Sequence, residues 1–240
     1  MSVAFFDLDR TVLAVNSAAL WLRLEVAAGH VSRLQALRAA VWLAGYSAGL
    51  VSVENAVRKA IFTLAGIPAA PIRGRMVEFF QAHLRQGYRP GALTAVEEHR
   101  LRGDKLVLLT ASTSYLAELV AQDLRFDAYL SNELEVDAQG HHTGRTVGEL
   151  CFGSGKLGHA RAYVERVGAE LEDCAFYTDS YSDLPALEAM GRPVAVNPDQ
   201  RLRREALRRG WQIVDWGAPA RPPGGRSPPS DRTGAPPGLQ

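Results

Sequence analysis

The chain has 240 residues, 47% of them apolar and 22% charged, a profile that suits a globular protein with one main core and a smaller attached module. A formal net charge of +1 supplies no bulk field for nucleic acid or an anionic membrane, so no nucleic-acid partner is expected. Cys151 and Cys174 lack metal-ligand spacing and are read as free buried thiols, and no signal peptide is legible at the N-terminus, so the expected location is cytoplasmic.

The first stretch, Val3-Ala4-Phe5-Phe6-Asp7-Leu8-Asp9-Arg10-Thr11, runs an apolar strand straight into two carboxylates. If the strand stays extended, Asp7 and Asp9 project to the same side. Such a pair repels and is costly to desolvate unless something offsets it. A divalent cation would do so, leaving one carboxylate as nucleophile and the other as acid/base. A solvated acidic turn is the alternative from this stretch alone.

Asn16-Ser17 caps a helix over residues 18–29. A second helix starts after Ser32, and over residues 39–53 it is apolar nearly all round, with Trp42 and Tyr46. That run is shorter than the ~20 residues needed to span a bilayer. It starts at Arg38 and contains Gly45 and Gly49, so a buried helix is expected and membrane contact is disfavoured. A third helix runs from Ser52-Val53-Glu54 to Leu64, closed by Gly66. Pro71 opens a fourth over residues 72–85, and Pro90 opens a fifth that Gly103 ends.

The pattern then changes. Residues 105–110 form a short continuous apolar run, the mark of a strand buried on both faces. A helix over 114–123, strands over 129–131 and 134–136, and a hairpin loop over 138–144 follow. Adjacent His141 and His142 diverge in a strand, so they are read as a solvated turn and not as a metal pair. Next come a helix over 156–167, a strand over 174–178, a short helix over 183–190 and a strand over 193–196. The basic helix over 201–209 is interrupted by Glu205 and read as a solvated face, and residues 213–214 form a last strand.

This alternation predicts an α/β fold with a mainly parallel sheet. Residues 1–14 and 104–217 would form a discontinuous Rossmann-like core. Residues 15–103 would form an inserted all-helical cap with its connecting helix, placed to cover the acidic motif. Residues 218–240, dense in Pro, Gly, Ser and Arg, are expected to be a disordered tail.

Four signals fall in chain order: Asp7-Leu8-Asp9-Arg10-Thr11, then Thr110 after Leu106-Val107-Leu108-Leu109, then Gly153-Ser154-Gly155-Lys156, then Asp179-Ser180-Tyr181-Ser182-Asp183. Singly, Thr110 could end a strand, Lys156 sit on the surface and Asp183 cap a helix. Together they resemble the haloacid dehalogenase-like phosphohydrolases, in the branch (subfamily IB) that contains phosphoserine phosphatase and carries a helical cap after the first motif. The likeness extends to about residue 217, including Val194-Ala195-Val196-Asn197-Pro198-Asp199.

The resemblance implies a Mg²⁺-dependent phosphatase acting on a small-molecule phosphomonoester. Asp7 would be the nucleophile that forms an aspartyl-phosphate, and Asp9 the acid/base. Mg²⁺ would be held by Asp7, by the Asp9 carbonyl and by Asp179, with Asp183 a further ligand or an orienter of its water. Thr110, Ala111 and Lys156 would bind the phosphoryl oxygens. Phosphoserine enzymes of this branch carry a glutamate that aligns with Asn16 and an arginine that falls at or near Ala60. Both charges are absent here, so phosphoserine is not the expected preferred substrate, although Arg58 or Lys59 could take the carboxylate role. Histidinol phosphate, a lipid phosphate, or transfer to an alcohol acceptor stay open as alternatives. The presence of both Asp7 and Asp9 disfavours a non-catalytic binding protein.

Overall fold

The structure is a computed structural model that describes residues 1–30 and 53–220. The expected helix after Ser32 and the expected tail from residue 221 onward lie outside the described residues.

Among the described residues eight strands form: β1 (Val3–Phe6), β2 (Lys105–Thr113), β3 (Ala128–Asn132), β4 (Leu134–Val136), β5 (His142–Thr146), β6 (Ala175–Thr178), β7 (Arg192–Val196) and β8 (Gln212–Val214). Six of them make one sheet in the order β3-β2-β1-β6-β7-β8, and every pairing in it is parallel. β4 and β5 make a separate antiparallel hairpin. The fold is thus α/β as the alternation predicted.

β1 lies in the middle because both of its faces are apolar. Ala4 and Phe6 join one buried cluster with Leu106 and Leu108, whereas Val3 and Phe5 join the other with Val107, Leu109 and Phe176. Period-2 alternation therefore feeds two cores, one on each side of the sheet. Burying a phenylalanine such as Phe5 or Phe6 contributes about 1.5–3 kcal/mol. β2 runs to Thr113, three residues past its expected end, because pairing with β3 resumes at Thr113 opposite Asn132 after a register shift.

The helices are α1 (Ser17–Ala27), α2 (Val53–Phe62), α3 (Ala69–Phe79), α4 (Pro90–Arg102), α5 (Ser114–Asp123), α6 (Ser154–Val167), α7 (Leu184–Ala189) and α8 (Gln200–Arg209). α3 continues into one wider turn over Phe80–Leu84. Pro90 opens α4, and Gly103 closes it in the left-handed conformation. Both cysteines are buried and free. Among the described residues, no helix is long and apolar enough to cross a membrane.

The helical insert, α1 to α4, departs from and returns to the sheet along two adjacent segments. The Ala14 N–H donates to the Gly87 carbonyl (3.2 Å) and the Arg89 N–H to the Val12 carbonyl (2.9 Å). A second attachment corrects the reading of His142. Far from lying in a solvated turn, His142 is 2% exposed. Its Nδ1–H donates to the Ile67 carbonyl (2.9 Å), and its Nε2 accepts from the Tyr115 hydroxyl (2.8 Å). The Gly66 N–H donates to the His142 carbonyl (2.8 Å), so β5 grips the loop between α2 and α3. Turn chemistry read locally missed this, because the partners are 27 and 75 residues away.

α4 is docked from two sides. His99, fully buried, donates from Nδ1 to Asp104 (2.6 Å) and accepts at Nε2 from the Tyr177 hydroxyl (2.8 Å). Gly91 lies against Trp216 and donates to its carbonyl (3.0 Å). A Cβ at position 91 would clash with the Trp216 ring, standing 2.6 Å from its Cγ and 2.7 Å from its Cα. Gly91→Ala should therefore lower the unfolding free energy by about 1–3 kcal/mol from overpacking, although alanine is the better helix former. Urea denaturation checks this, and an unchanged or raised midpoint would contradict the packing.

Desolvation by burial holds the His99 imidazole below its ordinary pKa, against the pull of Asp104. A depressed folded pKa means that neutral His99 contributes stability above about pH 6.5, which is lost as pH falls. The fall in urea midpoint from pH 7.5 to pH 5.0 should be larger for the wild-type chain than for His99→Gln. Equal falls would remove His99 as the cause.

Candidate active site

The strand order places the carboxyl ends of β2, β1 and β6 side by side, at the point where the chain turns from one half of the sheet to the other. Asp7 leaves β1 there. Its N–H donates to the Tyr177 carbonyl (2.9 Å), which carries the pairing with β6 one residue further. The chain then coils: the Val12 N–H reaches the Asp7 carbonyl (3.3 Å) and the Leu13 N–H the Leu8 carbonyl (2.8 Å). Arg10 sits in this turn with a positive φ of 60°. The premise of an extended strand through Asp9 therefore fails. Asp7 and Asp9 meet different partners because the backbone turns between them.

Asp7 follows Val3 and Phe5 onto the sheet face that α6 covers. At the start of α6, Gly155 packs so closely on the Leu150 carbonyl that a Cβ there would clash with it. That approach carries Lys156 under the strand ends, where it is only 2% exposed. Lys156 Nζ donates to Asp7 Oδ1 (2.6 Å) and to Asp183 Oδ2 (2.7 Å). Thr178, the last residue of β6, also donates to Asp183 Oδ2 (2.6 Å). Thr11 braces the other side: its Oγ1 accepts the Asp179 N–H (3.0 Å) and lies 3.2 Å from Asp7 Oδ2. Asp7, Asp179 and Asp183 are all buried.

Three buried carboxylates face one buried ammonium. Burial pushes Asp7 up to about 6, with Lys156 pulling the other way. Burial and then the neighbouring Asp7 push Asp179 up to about 7. Burial disfavours the charge on Lys156, yet Asp183 and Asp7 together hold its pKa above the usual lysine range. The excess of hard oxygen donors over cations fits a divalent metal ion bound through oxygen. Among the described residues, no three His, Cys, Asp or Glu side chains form a ready-made cage.

Asp9 is held separately. Its Oδ1 accepts the Ser17 N–H at the start of α1 (2.7 Å), and its Oδ2 accepts from the Ser112 hydroxyl (3.2 Å). Burial raises its pKa against these bonds. Thr110 is buried in β2, with its Oγ1 accepting the Ser112 N–H (3.1 Å). The carbonyl of Ala111 accepts from Asn132 (2.6 Å), whose own Oδ1 accepts the Cys151 N–H (2.9 Å). Asn132 thus ties the Thr110 strand to the loop before Lys156. Asn16 is exposed and its Oδ1 caps α1 by accepting the Ala19 N–H (2.8 Å). Arg58 and Lys59 are exposed on α2.

The structure thus gathers Asp7, Lys156, Asp179 and Asp183 into one bonded cluster, with Asp9 at its edge. Sequence reasoning missed Thr178, Ser112, Ser17, Asn132 and Arg10. Thr178 carried a usable signal, since it holds the last position of β6 and shares a sheet face with Phe176. The serines and Asn132 carried none. Removing the central charge tests this geometry. Lys156→Met should cost about 3–5 kcal/mol of unfolding free energy, because it leaves Asp7 and Asp183 uncompensated. Adding Asp183→Asn should recover part of the loss; no recovery in urea melts would contradict the shared ion pair.

Residues 4–188 match the family model of haloacid dehalogenase-like hydrolases. The chain is 32% identical over 92% of its length to the inhibition of morphological differentiation protein of Streptomyces azureus, covering 80% of it. It is also 32% identical over 90% of its length to phosphoserine phosphatase SerB1 of Mycobacterium tuberculosis, covering 71% of that protein. Against histidinol-phosphatase of Neisseria meningitidis it is 24% identical, with 90% of this chain and 99% of that protein covered. Among solved structures, a protein of unknown function from Bordetella pertussis superposes with a TM-score of 0.82 at 29% identity, over 90% of this chain and 98% of that one. A phospho-aspartyl intermediate analogue of phosphoserine phosphatase shares the fold, with a TM-score of 0.67 at 17% identity over 90% and 94% of the two chains. With the family model covering most of its length and the strand-end carboxylates assembled around Lys156, the chain belongs to the haloacid dehalogenase-like hydrolases.

Proposed function

We propose that the chain is a Mg²⁺-dependent phosphatase that hydrolyses a small-molecule phosphomonoester through an aspartyl-phosphate on Asp7. The observation that carries this reading is the bond pair of Lys156 to Asp7 and Asp183 in a buried site with more carboxylates than cations. A phosphomonoester dianion repels nucleophiles, so its hydrolysis needs placed positive charge and a fixed attacking group.

In the first half-reaction, a carboxylate oxygen of Asp7 attacks phosphorus and the bond to the leaving oxygen breaks. Protonated Asp9 donates its proton to that oxygen. In the second, Asp9 takes a proton from water, the water oxygen attacks phosphorus, and the bond to Asp7 breaks to release inorganic phosphate. Burial favours the protonated form of Asp9 that the first step requires. Ser17 and Ser112 orient its carboxylate. Thr11 and Lys156 fix Asp7 from two sides. Lys156, the Thr110 hydroxyl and backbone N–H groups near Ala111 would bind phosphoryl oxygens. Asp7, Asp179 and the Asp9 carbonyl would hold Mg²⁺, with Asp183 a ligand or an orienter of its water. The ion would supply charge to offset the phosphoryl oxygens and the carboxylates.

Residues 1–14 and 104–217 act as the catalytic core in this reading, and residues 15–103 as the lid that selects the substrate. Relatives named phosphoserine phosphatase and histidinol-phosphatase support a phosphorylated amino acid or amino alcohol as a second reading. Against phosphoserine, Asn16 is neutral and engaged in capping α1, and Ala60 carries no charge. An ammonium taken from water needs an opposite charge that Asn16 lacks, and a carboxylate needs one that Ala60 lacks.

A phosphomonoester panel with Mg²⁺ tests the proposal. Phosphate release should be abolished by EDTA and restored by added Mg²⁺. Asp7→Asn should lower kcat/KM by at least about 10³-fold. Undiminished turnover by Asp7→Asn would overturn the mechanism.

A further inference from the structure

Arg10 stands beside the reacting groups and has no role in the steps above. Its φ of 60° is rare for a residue with a side chain, and it turns the chain out of the strand direction immediately after Asp9. The turn is held in place: the Arg10 N–H donates to the Val15 carbonyl (3.0 Å), and Arg89 Nε donates to the Arg10 carbonyl (3.2 Å). The side chain is 57% exposed, and its Nε lies 3.3 Å from Asp179 Oδ2. Among the described residues the guanidinium makes this ion contact and no side-chain hydrogen bond. A fork of donors is therefore presented to solvent at the rim of the carboxylate cluster.

The neighbouring cations are committed elsewhere. Lys156 is bonded to Asp7 and Asp183. Arg89 spends its guanidinium on the carbonyls of Arg10 and Gly217. A divalent ion on Asp179 would neutralise the carboxylate in contact with Arg10, and would leave its donors open to a second anion. Arg10 also attracts the Asp9 carboxylate, so its side chain lies near the group that would protonate the leaving oxygen.

We propose that Arg10 is a specificity-determining residue whose guanidinium binds an anionic substituent, above all a carboxylate, on the alcohol portion of the substrate. The planar fork suits two-point binding of a carboxylate, which an ammonium cannot reproduce. The favoured class is therefore a phosphomonoester that carries a carboxylate on its alcohol portion. The inference rests on the phosphatase reading above and specifies the substrate class of the same site.

Two measurements on the full chain test it. In the first, kcat/KM with Mg²⁺ is compared for 3-phosphoglycerate and glycerol 2-phosphate, which differ in the carboxylate. Arg10→Gln should lower the ratio of the two values at least tenfold, mainly through KM for 3-phosphoglycerate, and Arg10→Lys should recover only part of it. Equal losses on both esters would overturn the proposal and leave Arg10 as a support for Asp179. In the second, calorimetry compares binding of 3-phosphoglycerate to Asp7→Asn and to Asp7→Asn with Arg10→Gln. Weaker binding by the double variant supports the role of Arg10 even if the wild-type chain releases phosphate from no ester of the panel, an outcome that would refute the phosphatase reading alone. Equal affinities would overturn the role of Arg10 whatever the activity.

Discussion

Lys156 Nζ lies within 2.7 Å of both Asp7 and Asp183, and the rest of the site is arranged around that pair of bonds. An ammonium this deep is tolerated only because two carboxylates face it, and those carboxylates are tolerated only because it is there. The balance is incomplete. Asp179 has Thr11 and, at the rim, Arg10 for company, and its pKa is driven up to about 7 by burial. A site left short of positive charge in this way favours uptake of a cation, which in the proposed reading would in turn attract a phosphoryl group.

The same constraint explains why the scaffold is built as it is. Asp7, Thr110 and Asp179 come from three strands that are distant in sequence but lie side by side in the sheet order β2-β1-β6. A parallel sheet with both faces covered is stiff, so carboxylates at its strand ends cannot drift apart to relieve their repulsion. The close packing of Gly155 on Leu150 brings the opposing charge in from α6. Rigidity thus does two things at once: it keeps the carboxylates close together and holds Asp7 in a fixed direction.

The helical insert is tied to this rigid frame at more places than its two chain connections. α1 presents the Ser17 N–H to Asp9, so the first turn of the insert orients the acid/base candidate. Arg89, at the return of the insert, holds the Arg10 carbonyl. On the far side, His142 of the β4-β5 hairpin bonds both Ile67 and Tyr115. Movement of the insert would therefore be felt at Asp9 and Arg10 through the backbone of residues 9 to 17.

Much of this was legible before any coordinates. Four apolar residues ending in Asp7, an apolar run ending near Thr110 and another ending at Asp179 announce buried parallel strands, because continuous apolar runs are stable only with both faces covered. Motif order then singled out Lys156 and Asp183. Local patterns reach no further than the element that carries them. The extended-strand reading aligned Asp7 with Asp9, but the wide turn at Arg10 separates them. The hydroxyls of Ser112 and Thr178, the amide of Asn132 and the imidazole of His142 have no distinguishing sequence context. They acquire roles only when strand register and helix docking bring partners to them, as with Ser112 and Asp9, 103 residues apart. The sequence by itself determined the α/β alternation and the charged residues at the strand ends, since both follow from short-range periodicity. Tertiary structure alone decided which charge meets which, because burial and long-range pairing choose the partners that a desolvated group must have.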